Sequence, residues 1–303
     1  MAKPFLKWAG GKTQLLSSIK KALPKELSGE KFIYIEPFVG SGAVLFWMLD
    51  NFSGIKKAVI NDINPDLINT YKIIASKPKE LIFILNEFQA EYHVMQNAKE
   101  QKKEYYYQKR KLYNSRNADE IIQAALFIFL NKTCFNGLYR VNRANDFNVP
   151  MGLYKFPTIC DQENILAVHE GLKKVEILCG DYSKTLVYAE RDSFFYLDPP
   201  YKPLSATSNF NSYAKDEFND QQQIRLRDFC KELTVRGYKW MLSNADVKEK
   251  DFKNNFFDDI YSDFFIDRVK AKRIINSNSN KRGELNELLI TNYSNEIAEP
   301  VIF

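Results

Sequence analysis

The sequence predicts an α/β fold with a doubly wound, mostly parallel sheet and an inserted helical and hairpin region. Short apolar runs rich in β-branched and aromatic residues, such as 32–35 and 193–197, have the pattern of buried strands and end in acidic residues. A glycine turn and an apolar helix follow the first run. Residues 71–130 show helical spacing without a strand pattern, which predicts an insertion. A chain of 303 residues accommodates one large domain with an insertion or two modest domains.

Charge and cysteine usage limit the partners and the chemistry. Lysine and arginine exceed aspartate and glutamate by 43 to 38, and residues 71–160 hold 14 basic and 8 acidic residues. A basic surface fits a polyanionic partner, although a solvated charged face is a commoner cause. The four cysteines are isolated and the histidines are only His93 and His169, so we expect neither a metal site nor a disulfide framework. No leader and no run of about 18 apolar residues occurs, which predicts a cytoplasmic protein without a membrane partner.

The first informative segment spans residues 5–13 and contains Gly10-Gly11-Lys12. A phosphate-binding P-loop is disfavoured, because Leu6 stands where that motif needs glycine and no strand precedes the segment. A loop that brings Trp8, Gly10 and Lys12 to a helix start suits an aromatic and anionic ligand instead. The alternative is an irregular N-terminus that covers a core.

A strand, glycine turn and helix come next, at 32–35, 36–42 and 43–49. Gly40 and Gly42 let the backbone approach a ligand at the helix N-terminus, but Leu45 occupies the third glycine position of the dinucleotide pattern. A dinucleotide oxidoreductase is therefore disfavoured. The strand at 58–60 ends in Asp62, which lies 22 residues beyond Gly40 and is placed to accept hydrogen bonds from ribose hydroxyls.

The segment Asp198-Pro199-Pro200-Tyr201 follows the buried strand 193–197. Its carboxylate is delivered to the carboxyl edge of the sheet, where open α/β folds bind ligands. The prolines fix φ and remove backbone donors, which leaves their carbonyls free to accept hydrogen bonds. With the Tyr201 ring beside them, these acceptors suit a planar ring that bears an exocyclic amino group. A simple turn at the end of a strand is the alternative.

These three motifs, in this order, resemble the Dam-type DNA adenine methyltransferases, and the resemblance covers nearly the whole chain. It implies a methyltransferase-type sheet, S-adenosylmethionine as methyl donor and double-stranded DNA as partner. It assigns catalysis to the segment that begins at Asp198, with Asp198, Pro199 and Tyr201 as its residues. By position, the residues that hold the donor are Trp8, Gly10, Lys12, Phe38, Gly40, Gly42, Asp62, Asp181, Tyr182 and Asp198.

Asp181 follows a strand at 175–178 and precedes Tyr182. In the resemblance it accepts from the adenine amino group of the donor while the ring of Tyr182 packs nearby. An isolated aspartate at such a position is more often a helix cap. Both interpretations stay open.

The reaction implied is methyl transfer to the N6 amine of an adenine that has been flipped out of the duplex, because a base inside the stack cannot reach such a pocket. Asp198 and the Pro199 carbonyl would accept the hydrogens of the amine, and Tyr201 would stack on the base. The alternatives are a methyltransferase acting on RNA or on a protein amide nitrogen, and a DNA-binding protein that merely retains the fold.

The insertion is expected to read the DNA. We place the catalytic domain at 1–70 and 165–303 and the target-recognition domain at 71–164. The basic, tyrosine-rich run 102–116 is interpreted either as a solvated helix face or as one that follows phosphates. The oligomeric state stays open between a monomer and a weak dimer.

Residues 136–155 have the pattern of two short strands around a polar turn at 144–146. This arm resembles the DNA-reading arm of family members that act on GATC. One departure is Leu153, which stands where the family commonly has arginine. The alternative is that the arm's polar residues only brace the hairpin. The residues expected to contact DNA are Arg140, Asn142, Arg143, Pro150 and Tyr154.

The C-terminal part completes the sheet. A helix is predicted at 220–235 with Asn219 as its cap and Gly237 as its stop, followed by a strand at 238–242. Residues 264–270 and 287–292 are predicted to form an antiparallel pair. The polar loop 204–213 is expected to close over a substrate. The connection 272–282 is interpreted as a mobile loop or a phosphate contact.

Overall fold

The computed structural model describes residues 1–8, 10–95, 98–202, 218–272 and 284–294. Its seven strands lie in one sheet. They are β1 Phe32–Glu36, β2 Ile55–Asp62, β3 Val175–Cys179, β4 Ser193–Leu197, β5 Lys239–Ala245, β6 Phe265–Lys272 and β7 Glu284–Thr291. Its α-helices are α1 Leu16–Ala22, α2 Ala43–Asn51, α3 Pro65–Ser76, α4 Pro78–Val94, α5 Lys99–Ser115, α6 Glu120–Thr133, α7 Gln162–Leu172, α8 Asp220–Val235 and α9 Phe256–Ile260.

The strand order is β3-β2-β1-β4-β5-β7-β6, and β7 runs antiparallel to both of its neighbours. The first five strands in this order are parallel. The predicted α/β class, the mostly parallel sheet and the final antiparallel pair are therefore confirmed. The strand order reverses between β1 and β4, and in open α/β sheets ligands bind at the carboxyl ends of the strands on either side of such a point.

Both faces of the sheet are covered, as a parallel sheet requires. Every residue of β1 and β4 is buried. Tyr34 of β1 packs into one hydrophobic cluster with residues of α2 and α3, whereas Ile35 faces a second cluster that contains residues of α8 and α9. This explains why the central strands are continuous apolar runs instead of alternating ones.

Helices α3 to α7 connect β2 to β3, so the predicted helical insertion is confirmed as a helical region. The position 71 falls inside α3, and the position 164 falls inside α7. Buried residues of the inserted helices, such as Leu81 and Phe129, belong to the same hydrophobic cluster as one face of the sheet. The region therefore shares a core with the sheet, and its division as a separate domain remains a prediction.

The predicted hairpin arm is a loop with a polar turn, and the two regular strands expected there are not present. Only isolated bridges occur, between Val141 and Phe147 and between Cys134 and Met151. The turn itself is confirmed, since Asn142 N donates to Asp146 O at 2.9 Å. Side chains of α5 bond the backbone of Phe147 and Val149 along the outer edge of this loop, as described below.

The C-terminal prediction holds where the chain is described. Asn219 caps α8 by accepting from Gln222 N at 3.1 Å, and Gly237 follows the helix with a φ of 81°. Helices α7 and α9 were not expected from the sequence. The loop 204–213 and the connection 273–282 lie outside the described residues. Within the described ranges no helix is long and apolar enough to cross a membrane, and no cluster of acidic, histidine and cysteine side chains could hold a metal ion.

Candidate active site

A cleft of about 1620 Å³ opens at the carboxyl edge of β1, β2, β3 and β4. Small-molecule sites are commonly about 300 to 1000 Å³, so this cleft has room for a second planar group beside a nucleotide-sized ligand. It gathers side chains from the three sequence motifs into one place. The predicted residues that line it are Trp8, Gly10, Lys12, Phe38, Gly40, Asp62, Arg143, Asp181, Tyr182, Asp198, Pro199 and Tyr201.

Asp198 stands at the end of β4, and its oxygens differ in what they contact. Lys12 Nζ lies 2.8 Å from Oδ1, and Ser243 Oγ donates to the same oxygen at 2.9 Å. No described residue donates to Oδ2, and the side chain is 20% exposed. Asp198 therefore has one oxygen held by the protein and one available to a ligand.

Burial raises the pKa of Asp198, while the nearby Lys12 charge and the hydrogen bonds from Lys12 and Ser243 act in the opposite direction. Lys12 is itself buried and donates to the Gly10 carbonyl at 2.7 Å. Its ammonium also lies 4.3 Å from the centroid of the Tyr201 ring. Lys12 thus joins the N-terminal motif to the acid and the aromatic ring of the segment 198–201.

The two proline carbonyls have different environments. Gln223 of α8 donates to the Pro200 carbonyl at 3.0 Å, and Asn244 donates to Gln223 Oε1 at 3.3 Å. No described residue donates to the Pro199 carbonyl. The carbonyl predicted to accept a substrate hydrogen is therefore the one that the described protein leaves without a donor.

The Tyr201 ring is anchored through its hydroxyl, which donates to Glu287 Oε2 at 2.5 Å. Burial raises the pKa of Tyr201 well above its ordinary value, and the negative charges of Asp198 and Glu287 add to this effect. The phenol therefore stays protonated and keeps donating. Glu287 belongs to the antiparallel strand β7, far from Tyr201 in sequence.

The glycine turn after β1 packs against the N-terminal segment. Gly40 has a φ of 50°, and an added Cβ would lie 3.1 Å from the Trp8 indole. Gly42 has a φ of 77°, and an added Cβ would lie 2.6 Å from Tyr71 Oη. Trp8 stacks on Tyr139 with ring centroids 5.5 Å apart. Lys12 begins a short 3₁₀ turn that no strand precedes, so the P-loop remains disfavoured.

Asp62 holds this turn in place. Its Oδ2 accepts from Gly40 N at 3.1 Å, and its Oδ1 accepts from Asn64 N at 2.9 Å. Burial raises its pKa, and these backbone hydrogen bonds act against the rise. Asp62 thus connects the end of β2 with the N-terminus of α2, in addition to lining the cleft.

Asp181 is both a cap and an ion-pair partner. It accepts from Ser183 N at 3.0 Å, and Arg225 binds both carboxylate oxygens at 2.7 and 2.9 Å. The Arg225 hydrogen bond is the main cause that lowers the pKa of Asp181 to about 2. The cap considered from sequence is therefore observed. The Tyr182 ring packs 5.2 Å from that of Phe38, which forms an aromatic wall beside the acid.

The residues predicted to contact DNA lie along the loop 139–155. Arg140 Nε donates to Asn148 Oδ1 at 2.7 Å, whereas the exposed Arg143 lines the cleft. Asn142 Oδ1 accepts from the backbone of Ala144 and Asp146, so this side chain braces the turn.

The remaining two predicted contacts flank the far end of that loop. Pro150 is exposed, and its carbonyl accepts from Phe135 N at 2.8 Å. Tyr154 Oη accepts from Lys7 Nζ at 3.2 Å, and the Lys7 ammonium lies 4.2 Å from the centroid of the Tyr154 ring.

Several polar residues of the site were not predicted from the sequence. Ser243 and Asn244 lie near the carboxyl end of β5, so the rule that ligands bind at the carboxyl ends of parallel strands was the available signal. Glu36 ends β1, is buried, and accepts from Tyr34 Oη at 2.7 Å. Glu287 gave no such signal, because its strand is antiparallel and its approach to Tyr201 depends on the order of strands in the sheet.

Comparisons with known proteins agree with this geometry. A family model described as D12 class N6 adenine-specific DNA methyltransferase matches residues 8–275. The type II methyltransferase M.MjaIII of Methanocaldococcus jannaschii is 49% identical over 295 residues, covering 96% of this chain and 99% of the relative. The type II methyltransferase M1.LlaDCHI of Lactococcus lactis subsp. cremoris is 38% identical, with 97% and 96% covered. The DNA adenine methylase of Escherichia coli K12 is 36% identical, with 94% and 93% covered.

The family model matches most of the chain, and these relatives align along nearly their whole length. The cleft places an acceptor carboxylate, a carbonyl without a donor among the described residues and an aromatic ring together, which is what an adenine amine requires. The chain therefore belongs to the D12 class of N6 adenine-specific DNA methyltransferases.

Proposed function

We propose that the methyl donor is S-adenosylmethionine, that the target is the adenine of GATC in double-stranded DNA, and that the cleft holds the donor and a flipped adenine together. The observation that supports this most directly is the Lys12 contact, because one side chain joins the N-terminal motif to Asp198 and Tyr201.

The cleft fits an adenosine-containing donor with an amino acid group. Both amide hydrogens of Asn61 are used, by the carbonyls of Pro37 and Gly180, while its buried Oδ1 has no hydrogen-bond partner among the described residues. A buried acceptor without a donor costs free energy unless a ligand supplies one. Asn61 lines the cleft, which supports the proposal that a ligand N–H or O–H bonds this oxygen.

The residues that would hold the donor surround this point. Gly40 lines the cleft near the N-terminus of α2, where anionic groups are favoured. Gly42 does not line it and would act by shaping the turn, since a Cβ there would meet Tyr71 and Phe46. Asp62 and Asp181 would accept from ribose and adenine donors, and Trp8, Phe38 and Tyr182 supply apolar rings. When bound, S-adenosylmethionine supplies an electrophilic methyl group. Gly10 and Lys12 complete the wall toward Asp198.

Asp198 and Pro199 would activate the adenine amine. Its lone pair is delocalised into the ring, so acceptors that take both of its hydrogens favour the geometry in which the lone pair points at the methyl group. Asp198 Oδ2 and the Pro199 carbonyl are the acceptors without protein donors among the described residues. Lys12 and Ser243 hold Oδ1, which keeps the carboxylate oriented, and Asp198 can take the proton that leaves after transfer.

Tyr201 would stack on the flipped base. Its hydroxyl bond to Glu287 fixes the plane of the ring in advance of binding. A preorganised ring loses less conformational entropy when the base arrives.

The loop 139–155, from here on the recognition loop, would read the sequence. The GATC assignment comes from the resemblance of its motifs to those of GATC-acting relatives. Arg140 and Arg143 carry guanidinium forks that match the two major-groove acceptors of guanine. Pro150 and Tyr154 supply apolar contact. Asn142 would have to give up its turn bonds to reach a base. We include this loop and the inserted helices, 71–164, in one recognition unit.

The test is methylation of duplexes that contain GATC or a sequence changed at one base, with an RNA of the same sequence as a control. Each change should lower the rate by about fivefold or more, because a mismatched contact costs about 1 to 3 kcal/mol. Arg140→Ala, Arg143→Ala and Asn142→Ala are compared with wild type. A base reader loses discrimination at one position, whereas a phosphate contact weakens binding to all sequences alike. Indifference of the wild type to the first guanine would refute the GATC assignment.

A further inference from the structure

The basic and tyrosine-rich helix α5 is not explained by the functions assigned so far. Its tyrosines are not spread on the surface, since Tyr106 and Tyr113 are fully buried. One of its lysines, Lys102, is only 6% exposed. A face that merely follows phosphates or solvent would leave these groups accessible. The contacts of α5 show what its buried polar side chains bond to.

Residues at four-residue spacing share one face of a helix, and on α5 this face turns toward the recognition loop. Lys102 Nζ donates to the carbonyls of Lys155 at 2.7 Å and Tyr154 at 3.3 Å. Tyr106 Oη donates to the Val149 carbonyl at 2.8 Å. The described helix thus supplies donors to carbonyls of the loop's C-terminal half.

The next position on this face, Arg110, donates from Nη1 to the Val149 carbonyl at 3.3 Å, and the position after it, Asn114, makes a paired contact. Asn114 Nδ2 donates to the Phe147 carbonyl at 3.1 Å, and Asn114 Oδ1 accepts from Phe147 N at 2.9 Å. This side-chain amide bonds both polar groups of one loop residue, as a neighbouring β-strand would. Just beyond the helix, Arg116 donates to the Asn145 carbonyl at 3.3 Å.

The order of the contacts shows that they form one continuous row between α5 and the loop. As the helix number rises from 102 to 116, the loop number falls from 155 to 145, so the loop runs antiparallel along α5. The loop has only isolated bridges and no strand ladder to satisfy its carbonyls. Phe147 and Val149 are buried, and buried backbone groups without partners are costly. The α5 side chains supply those partners.

The loop residues that α5 bonds are themselves hydrogen-bonded to the polar tip of the loop. Asn148 N donates to the Arg140 carbonyl at 3.1 Å, and Val141 bridges to Phe147, which Asn114 holds. A shift of the 147–149 backbone would therefore shift the two arginines that are placed to read DNA.

We propose that α5 is a clamp that holds the recognition loop in its reading conformation, with Lys102, Tyr106 and Asn114 as positioning residues. This inference rests on the proposed role of the loop. The clamp acts before DNA arrives. It sets which bases Arg140 and Arg143 reach, and it makes no contact with the methyl donor.

The first experiment needs no DNA. Amide hydrogen exchange is measured by NMR in the intact protein for wild type, Asn114→Leu and Gln108→Met. Gln108 is the matched control, because its amide lies on the same helix but is exposed and, among the described residues, bonds only to Glu104. Asn114→Leu should speed exchange of the Phe147 amide by about tenfold or more, as expected for loss of a hydrogen bond, and Gln108→Met should leave it unchanged.

The second experiment measures how well the enzyme discriminates between DNA sequences. For each variant, kcat/KM on a GATC duplex is divided by kcat/KM on duplexes changed at one base. This ratio cancels the fraction of folded enzyme, so a loss of stability alone does not change it. Asn114→Leu and Lys102→Met should lower the ratio by about tenfold, Lys102→Arg should restore most of it, and Gln108→Met should keep the wild-type value.

The outcomes separate the two proposals. Unchanged Phe147 exchange in Asn114→Leu refutes the clamp whatever the loop reads. If exchange of the Phe147 amide is faster but the kcat/KM ratio is unchanged, Asn114 holds the loop but the loop's conformation does not determine which bases are read. That result also overturns the inference. A wild type without preference for GATC refutes the proposed target, while the exchange result still decides whether the loop is clamped.

Discussion

At the scale of single residues, Asp198 is subject to opposing effects, since burial favours its neutral form while Lys12 and Ser243 favour the carboxylate that accepts hydrogens. Asp198→Ala should reduce methyl transfer by on the order of 10² to 10³ or more, the usual loss when a positioned electrostatic group is removed. DNA binding should persist. Transfer of a labelled methyl group and a DNA-binding titration measure the two quantities. A turnover rate of Asp198→Ala near that of the wild type would show that Asp198 is not needed for methyl transfer.

The pH dependence follows from the same group. Burial raises the pKa of Asp198, and the carboxylate is the active form in the proposed mechanism. Activity should therefore fall on acidification at a higher pH than an ordinary aspartate would give. Lys12→Met removes a group that lowers this pKa, so the acid limb of kcat should move to still higher pH. A pH-rate profile of both proteins checks the direction. If the acid limb of the Lys12→Met profile stays at the wild-type pH or moves to lower pH, Asp198 is not the group that this limb reports.

In the proposed function, Asp62 is one of the residues that hold the methyl donor. Asp62→Ala should weaken S-adenosylmethionine binding by about 1 to 3 kcal/mol, the cost of losing a charge-assisted hydrogen bond and the brace of the Gly40 turn. Isothermal titration calorimetry gives the affinity. Asp192→Ala is the control, because that carboxylate pairs with Lys56 before β4, away from the cleft. Discrimination between DNA sequences should be the same in both variants.

At the scale of elements, the antiparallel strand β7 contributes to the site through one side chain. Glu287→Leu removes the acceptor of the Tyr201 hydroxyl, so the ring should lose its fixed orientation and kcat should fall by about tenfold, the loss expected for one hydrogen bond. Affinity for the methyl donor should not change. Glu287→Gln keeps an acceptor oxygen and should recover part of kcat. Equal loss in both variants would point to the charge of Glu287 instead of its hydrogen bond.

At the scale of the whole molecule, the inserted helices and one face of the sheet form a common hydrophobic cluster. Phe129 of α6 is fully buried and packs on the rings of Phe88, Tyr92 and Tyr105. Phe129→Ala should lower the free energy of unfolding by about 3 to 5 kcal/mol.

Because the core is shared, the loss should appear in one cooperative transition. Calorimetry and circular dichroism should give the same midpoint, and the exposed Phe83→Ala on α4 should leave it nearly unchanged. A second, separate transition would instead support a recognition domain that folds independently of the sheet.

The sequence by itself determined the class of the fold, the central strands and the three motifs of the cleft. These are local signals, since continuous apolar runs, glycine turns and caps such as Asn219 act over a few neighbouring residues. The carboxyl-edge rule placed Asp198 at the ligand-binding edge of the sheet, and Asp62 was separately predicted to accept from a ligand at the end of its strand.

Only the tertiary structure decided contacts between groups that are distant in the chain. The Lys12 contact with Asp198, the Glu287 anchor of Tyr201 and the α5 contacts to the recognition loop join residues from 33 to 186 positions apart. The two predicted hairpin strands are reduced to isolated bridges. Asn114 and its neighbours on α5 bond the outward-facing backbone groups of the loop, and no periodicity within residues 136–155 could have indicated these contacts.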